Sequence, residues 1–131
     1  MSENTSKGRI LVADDDPAIL RLIKAILEKE GFIVTTARDG KEAYKALQES
    51  TSITAAVFDV VMPHIAGPEL VRYMRTEKRF MSIPVMMMTA EQDPKLSRDS
   101  FAAGAVVFLP KPFTTAQLQT MLRMLVGRAK G

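Results

Sequence analysis

Residues Thr54–Pro63 read T-A-A-V-F-D-V-V-M-P. A small-residue and apolar run, Ile53 through Phe58, meets a lone carboxylate at Asp59, and Met62-Pro63 ends it. Such a run reads as a buried strand. An unpaired charge inside a buried strand costs far more than one residue's packing returns. Asp59 therefore belongs at the strand's C-terminal end, where the chain leaves the sheet and opens a crevice. In open parallel α/β sheets ligands bind in that crevice, which makes Asp59 a candidate site residue.

The flanking sequence supplies the rest of such a sheet. Upstream, Arg9–Ala13 (R-I-L-V-A) predicts a strand ending in Asp14-Asp15-Asp16. Pro17 suits the first helical position with Asp16 as its cap. Ile19, Leu22, Ile23, Ile26 and Leu27 recur at helical spacing, and Gly31 closes that helix. Phe32–Ala37 predicts the next strand, and Asp39 with Glu42 a capping box before Ala43, Ala46 and Leu47. Downstream, a helix after Gly67-Pro68 puts Leu70, Val71 and Met74 on one side, and Ile83–Thr89 reads as a strand. Asp93-Pro94 starts a helix that runs to Gly104, Ala105–Leu109 is a fifth strand, and Thr114 with Gln117 caps a last helix with Leu118, Met121, Leu122 and Leu125 inward. Strand and helix alternate five times. That predicts an α/β fold, a three-layer doubly wound (βα)5 unit with a five-stranded parallel sheet covered on both faces.

The totals agree with one domain: 131 residues, 47% hydrophobic and 25% charged. Residues 1–8 read as a polar tail, 9–127 as the domain, and 128–131 as a tail or a severed linker. With no cysteine, disulfide and thiolate–metal schemes are excluded, and a reducing cytoplasm is the expected setting. No signal peptide and no membrane span are read in the chain. The net charge of +3 conceals an asymmetry, because no acidic residue follows Asp99 while Lys111, Arg123, Arg128 and Lys130 do. A basic cluster interleaved with aromatics is missing, so this domain alone is not expected to bind nucleic acid.

In a parallel sheet all strand C-termini share one edge. Asp14 and Asp15, Asp59, Thr89 and Lys111 would then meet there. Like carboxylates at about 4 Å repel by about 4 kcal/mol at an effective dielectric of about 20, and one lysine does not offset three. A divalent cation or a raised carboxylate pKa follows. All-oxygen donors favour a hard ion, Mg2+ first and Mn2+ second. A carboxylate nucleophile, an ammonium and a hydroxyl suit phosphoryl transfer, in which the protein mainly positions groups and neutralises charge.

The ordered set D-D-D-P at 14–17, F-D-V-V-M-P at 58–63, M-T-A-E at 88–91 and L-P-K-P-F at 109–113 closely resembles the receiver domain of two-component response regulators, from Arg9 to about Val126. The resemblance implies the flavodoxin-like strand order 2-1-3-4-5. It implies that Asp59 accepts a phosphoryl group from a sensor histidine kinase or a histidine phosphotransfer protein, giving an aspartyl phosphate. It further implies Mg2+ held by Asp14, Asp15, Asp59 and the backbone carbonyl of Val61, with Lys111 and Thr89 on the phosphoryl oxygens. Phe108 stands at the switch aromatic, and the Lys111-Pro112 bond is expected to be cis. Partner binding would use the fourth helix, fifth strand and fifth helix, toward a downstream protein target, an output domain outside this chain, or a second copy in a homodimer. Two positions depart from the commonest family pattern: Val61, two residues after Asp59, is aliphatic, and Ala66 stands where many members carry Asp.

Other residues read more simply. His64, the only histidine, has no partner nearby in sequence and is expected to be exposed and idle. Met86-Met87-Met88 reads as strand filling, and Arg123 and Met124 fall off the apolar stripe. Two enzyme or carrier alternatives fit less well. A haloacid-dehalogenase-like phosphatase needs an Asp-x-Asp followed by Thr or Val and a late acidic pair, whereas Asp14-x-Asp16 is followed by Pro17-Ala18. A flavodoxin-like FMN carrier needs a loop of N–H donors after the first strand, where three aspartates would repel phosphate. A binding-only pseudo-receiver typically lacks the acidic pair or the acceptor, and this chain keeps both.

Overall fold

The structure, a computed structural model, describes residues 7–50 and 52–130. Most of the expected 1–8 tail, and Gly131, lie outside the described residues. The elements run β1 (Arg9–Ala13), α1 (Pro17–Lys29), β2 (Ile33–Ala37), α2 (Gly40–Glu49), β3 (Ile53–Asp59), α3 (Gly67–Thr76), β4 (Val85–Thr89), α4 (Pro94–Ala103), β5 (Val107–Pro110) and α5 (Thr115–Lys130). The strands pair in parallel in the order β2-β1-β3-β4-β5. The doubly wound α/β fold and its strand order are those expected from the sequence.

Period-2 alternation divides the core between the two faces of the sheet. Leu11, Ala56, Phe58, Val85 and Met87 point to the face packed by α2, α3 and α4. Ile10, Val12, Ala55, Val57, Met86 and Met88 point to the face packed by α1 and α5. Met86, Met87 and Met88 are all fully buried, on alternating faces. Burying each such side chain is worth roughly 1.5–3 kcal/mol.

Several element ends differ from the sequence reading, each because a backbone group is used elsewhere. Phe32 N–H donates to Leu27 O and so closes α1 instead of opening β2. Ile83 N–H turns back to Phe80 O, and Pro84 has no N–H, so β4 begins at Val85. Ala105 N–H caps α4 through Ser100 O, leaving β5 to start at Val107. In α1 the sheet-facing line is Leu20, Ile23 and Leu27, whereas Leu22 lies across the helix and is exposed.

The helix caps follow the sequence closely. Asp16 accepts from Ala18 N–H at 2.9 Å, and Thr114 and Gln117 exchange both reciprocal bonds of a capping box at 2.8 and 3.0 Å. The Asp39 box is only half made. Asp39 accepts from Glu42 N–H, but Glu42 reaches past it to Arg38 N–H and the Arg38 guanidinium.

Arg75 forms a clamp that the sequence did not announce. Its guanidinium donates to the carbonyls of Phe80, Met81, Ile83 and Gly104 at 2.8–3.4 Å. One cation thereby ties the end of α3, the loop into β4 and the C-cap of α4 together. Gly104 is needed there twice over: its φ is 120°, and a Cβ would sit 2.7 Å from Arg75 Nε.

Candidate functional site

The chain crosses from β2 to β3 around β1, so the sheet's order reverses between β1 and β3, and their C-terminal ends open a crevice. β1 delivers Asp14 and Asp15 to it, and β3 delivers Asp59 as its last residue. Asp14 is fully buried and Asp59 is 6% exposed, while Asp15 faces solvent. One carboxylate oxygen from each lies within 4.8 Å of the other two. Lys111, on the loop after β5, reaches in from 13% exposure, with Nζ 2.6 Å from Asp14 Oδ2 and 3.3 Å from Asp59 Oδ2. Asp14 Oδ1 is held by Asp16 N–H at 2.9 Å, and Asp59 Oδ1 by Val61 N–H at 3.4 Å.

Thr89 is buried at the end of β4, one residue beyond the Asp59–Met88 register pair. Its hydroxyl accepts from Glu91 N–H at 3.1 Å, and its carbonyl accepts from Lys111 N–H at 2.8 Å. Phe108 pairs with Met87, so by alternation it shares a sheet face with Thr89. Its ring also meets Phe101 of α4, with centroids 6.2 Å apart. Val61, two residues past Asp59, is half exposed, and Glu91, two past Thr89, is exposed. The Lys111-Pro112 peptide is cis. The residues singled out in the sequence thus meet at one rim, Asp14, Asp15, Asp59 and Lys111 in one cluster and Thr89 joined to it through the Lys111 backbone.

Charge sets the protonation states. Burial first, then the charge of Asp14, pushes the Asp59 carboxyl up to about 6 against the opposing pull of Lys111 and Val61 N–H. For Lys111, burial works to lower the ammonium's pKa, but the hydrogen bond to Asp14 and the charges of Asp59 and Asp14 outweigh it and raise it. The lysine therefore stays charged, and its single positive charge is shared between two buried carboxylates. Asp15 has no such cation among the described residues. Three converging hard oxygen donors, whose charge one lysine does not balance, fit a divalent cation of the Mg2+ type.

Close packing brings further residues to the rim. A Cβ on Gly67 would meet the Asp59 carbonyl oxygen at 2.5 Å, so only glycine lets α3 start against the end of β3. Gly40 N–H donates to Pro63 O, and a Cβ at Gly40 would collide with Ile65, which seats the β3–α3 loop on the start of α2. In that loop His64 has a left-handed φ of 73°, and its Nε2 lies 3.8 Å from Asp39 Oδ2. His64 is exposed, as expected from the sequence, and the Gly40 contact brings it near Asp39. Gly67-Pro68 was a visible signal for a tight helix start, but nothing local marked Asp39 as the neighbour of His64.

Among the described residues no helix is long and apolar enough to cross a membrane. A family model described as the response regulator receiver domain matches residues 10–123. The chain is 35% identical over 122 residues to response regulator RppA of Synechocystis, covering 92% of this chain and 51% of that protein. It is 34% identical to the transcriptional regulatory protein FixJ of Bradyrhizobium diazoefficiens, covering 96% of this chain and 60% of that protein. The chain thus spans about half the length of the curated relatives it matches. Among solved structures, chemotaxis response regulator CheY4 of Vibrio cholerae superposes with a TM-score of 0.84 at 30% identity, covering 90% of this chain and 98% of that one. A CheY-like receiver domain protein from Methanospirillum hungatei gives 0.87 at 29% identity, covering 95% and 98%. With its parallel sheet in the 2-1-3-4-5 order and an acidic pocket at the rim, this chain belongs to the response regulator receiver domain family, whose members are signalling domains of two-component systems.

Proposed function

We propose that this receiver, residues 9–127, accepts a phosphoryl group on Asp59 from the phosphohistidine of a sensor histidine kinase or a histidine phosphotransfer protein in the cytoplasm. The observation that carries this reading is the Asp14–Asp15–Asp59 cluster with Lys111 lodged in it. A carboxylate oxygen of Asp59 attacks phosphorus, the P–N bond breaks, and the histidine nitrogen leaves with its electron pair. Asp59 is ionised at pH 7, because its raised value of about 6 still lies below that. Lys111 is already on Asp59 and can follow the negative charge onto the equatorial oxygens. The buried Thr89 hydroxyl, now engaged only by Glu91 N–H, is free to donate its proton to a phosphoryl oxygen.

Asp14, Asp15, Asp59 and the Val61 carbonyl would hold Mg2+, with Mn2+ as the second choice. When bound, the ion supplies positive charge that lets carboxylates and an incoming phosphoryl group share the crevice. Drawing Thr89 toward the modified Asp59 vacates space on the face it shares with Phe108, and the ring fills it. The surface that responds is α4-β5-α5, which then binds a downstream protein target, an output domain or a second copy. The phosphatase alternative gains nothing from the geometry, since Asp16, its would-be second aspartate, is occupied as the α1 cap.

The test is phosphorylation by acetyl phosphate, followed by intact mass. One phosphoryl group is expected with Mg2+ and none with EDTA or in Asp59→Asn. Label kept by Asp59→Asn would reassign the acceptor, and no label from acetyl phosphate or any kinase tried would leave only a binding role. Beryllofluoride with Mg2+ should shift NMR signals across Asp93–Val126, and unshifted signals there would remove the proposed output surface.

A further inference from the structure

The rim of the sheet opposite the acidic crevice carries a groove of about 400 Å³, bounded by the end of α1, the residue before β2 and the last turns of α5. This lies within the range of roughly 300–1,000 Å³ typical of small-molecule sites. Its floor is apolar, made by Phe32, Leu122 and Val126. Two cations stand at its edge. The Lys7 side chain runs over Gly31, and Arg123 has only the Thr120 hydroxyl, at 3.3 Å, as a side-chain partner. Neither has an ion-pair partner among the described residues. The one acid on the edge, Glu30, is engaged by Gln119 Nε2 at 3.2 Å. With no acidic residue after Asp99, the α5 wall has no acid of its own, and Lys7 and Arg123 against Glu30 leave the edge one positive charge in excess.

Gly127 completes the picture. It lies inside α5, where glycine is unfavourable relative to alanine. A Cβ there would meet nothing within 4 Å, so packing does not demand glycine, and its effect is to keep the groove open. The floor residues Phe32 and Leu122 are only 7% and 3% exposed, which leaves room for a narrow chain. An α-helix with its side chains, about 10 Å across, is too wide to reach that floor.

We propose that this groove binds a small amphiphilic anion, a carboxylate on a short aliphatic body. The carboxylate sits on Arg123 and Lys7, and the chain lies over Phe32, Leu122 and Val126. Sodium octanoate is the probe, titrated into the full chain and followed by amide NMR. Saturable shifts are expected at residues 30–32 and 122–127. Arg123→Gln should weaken octanoate about tenfold, the worth of one charge-assisted hydrogen bond, and leave the weaker binding of 1-octanol unchanged. Gly127→Met fills the groove and favours the helix, so it should raise the melting temperature and abolish binding. Absence of saturable shifts, equal binding of octanol and octanoate, or octanoate binding untouched by Gly127→Met would each overturn the proposal. So would a dimer in sedimentation that Gly127→Met dissolves, because the occupant would then be a second copy of the chain.

Discussion

With no metal bound, Asp59 keeps its proton up to about pH 6, because burial and the neighbouring Asp14 disfavour its ionised form. In the unfolded chain an aspartate titrates near 3.9. Between about pH 4 and 6 the folded state therefore binds more protons than the unfolded one, and stability falls as pH rises through that window. In EDTA, Asp59→Asn should raise stability by on the order of 2 kcal/mol at pH 7 and change it little at pH 4. Urea unfolding at the two pH values checks this, and equal effects at both would remove the electrostatic account. In the proposed reaction half-exposed Val61, two residues past Asp59, and exposed Glu91, two past Thr89, would control the access of water to Asp59. Val61→Asn should change the hydrolysis rate of the aspartyl phosphate severalfold, read as phosphate release, and an unchanged rate would take Val61 out of that role. This chemistry was legible in the sequence because strand ends carry it. D-D-D-P, F-D-V-V-M-P and L-P-K-P-F each attach a charged residue to an apolar run, and a parallel sheet gathers such ends on one edge. The Lys111–Asp14 bond and the His64–Asp39 approach were not legible, since residues 97 and 25 positions apart meet only through tertiary packing.

At the scale of elements, strand and helix types followed hydrophobic period, while their ends followed competition for backbone N–H groups. Phe32 and Ala105 look like strand residues in sequence, yet each spends its N–H on closing the preceding helix. Leu22 shows the limit of spacing read without a sheet to face: it fits a helical stripe but points away from the line of Leu20, Ile23 and Leu27. The Arg75 tie between α3, the loop into β4 and α4 gave no local signal, because its acceptors are backbone carbonyls. Burial lowers the pKa of Arg75, and no carboxylate pairs with it among the described residues. Arg75→Met should destabilise by about 2–4 kcal/mol, the cost of carbonyls left without donors. A urea midpoint unchanged in that variant would show that water replaces the guanidinium.

For the whole molecule, binding of the proposed ion would be linked to folding. An ion that binds the folded carboxylates and not the unfolded chain stabilises by about 2.7 kcal/mol at a hundred times its dissociation constant. Adding Mg2+ should raise the melting temperature of the wild type, and much less that of Asp15→Asn. Equal gains in both would mean that the ion binds elsewhere. The asymmetric anchoring of α4 has a mechanical consequence. Its far end is stapled through Gly104 to Arg75, whereas its near end is held by the Asp93 side chain on Lys95 N–H and sits just past Thr89. Any reorientation that keeps the staple is a swing about Gly104 with a lever about 15 Å long. A tilt of about ten degrees then carries Pro94 roughly 2.6 Å while leaving Ala103 almost still. The fulcrum lies away from the crevice, so the stroke is greatest at the end of α4 nearest Thr89.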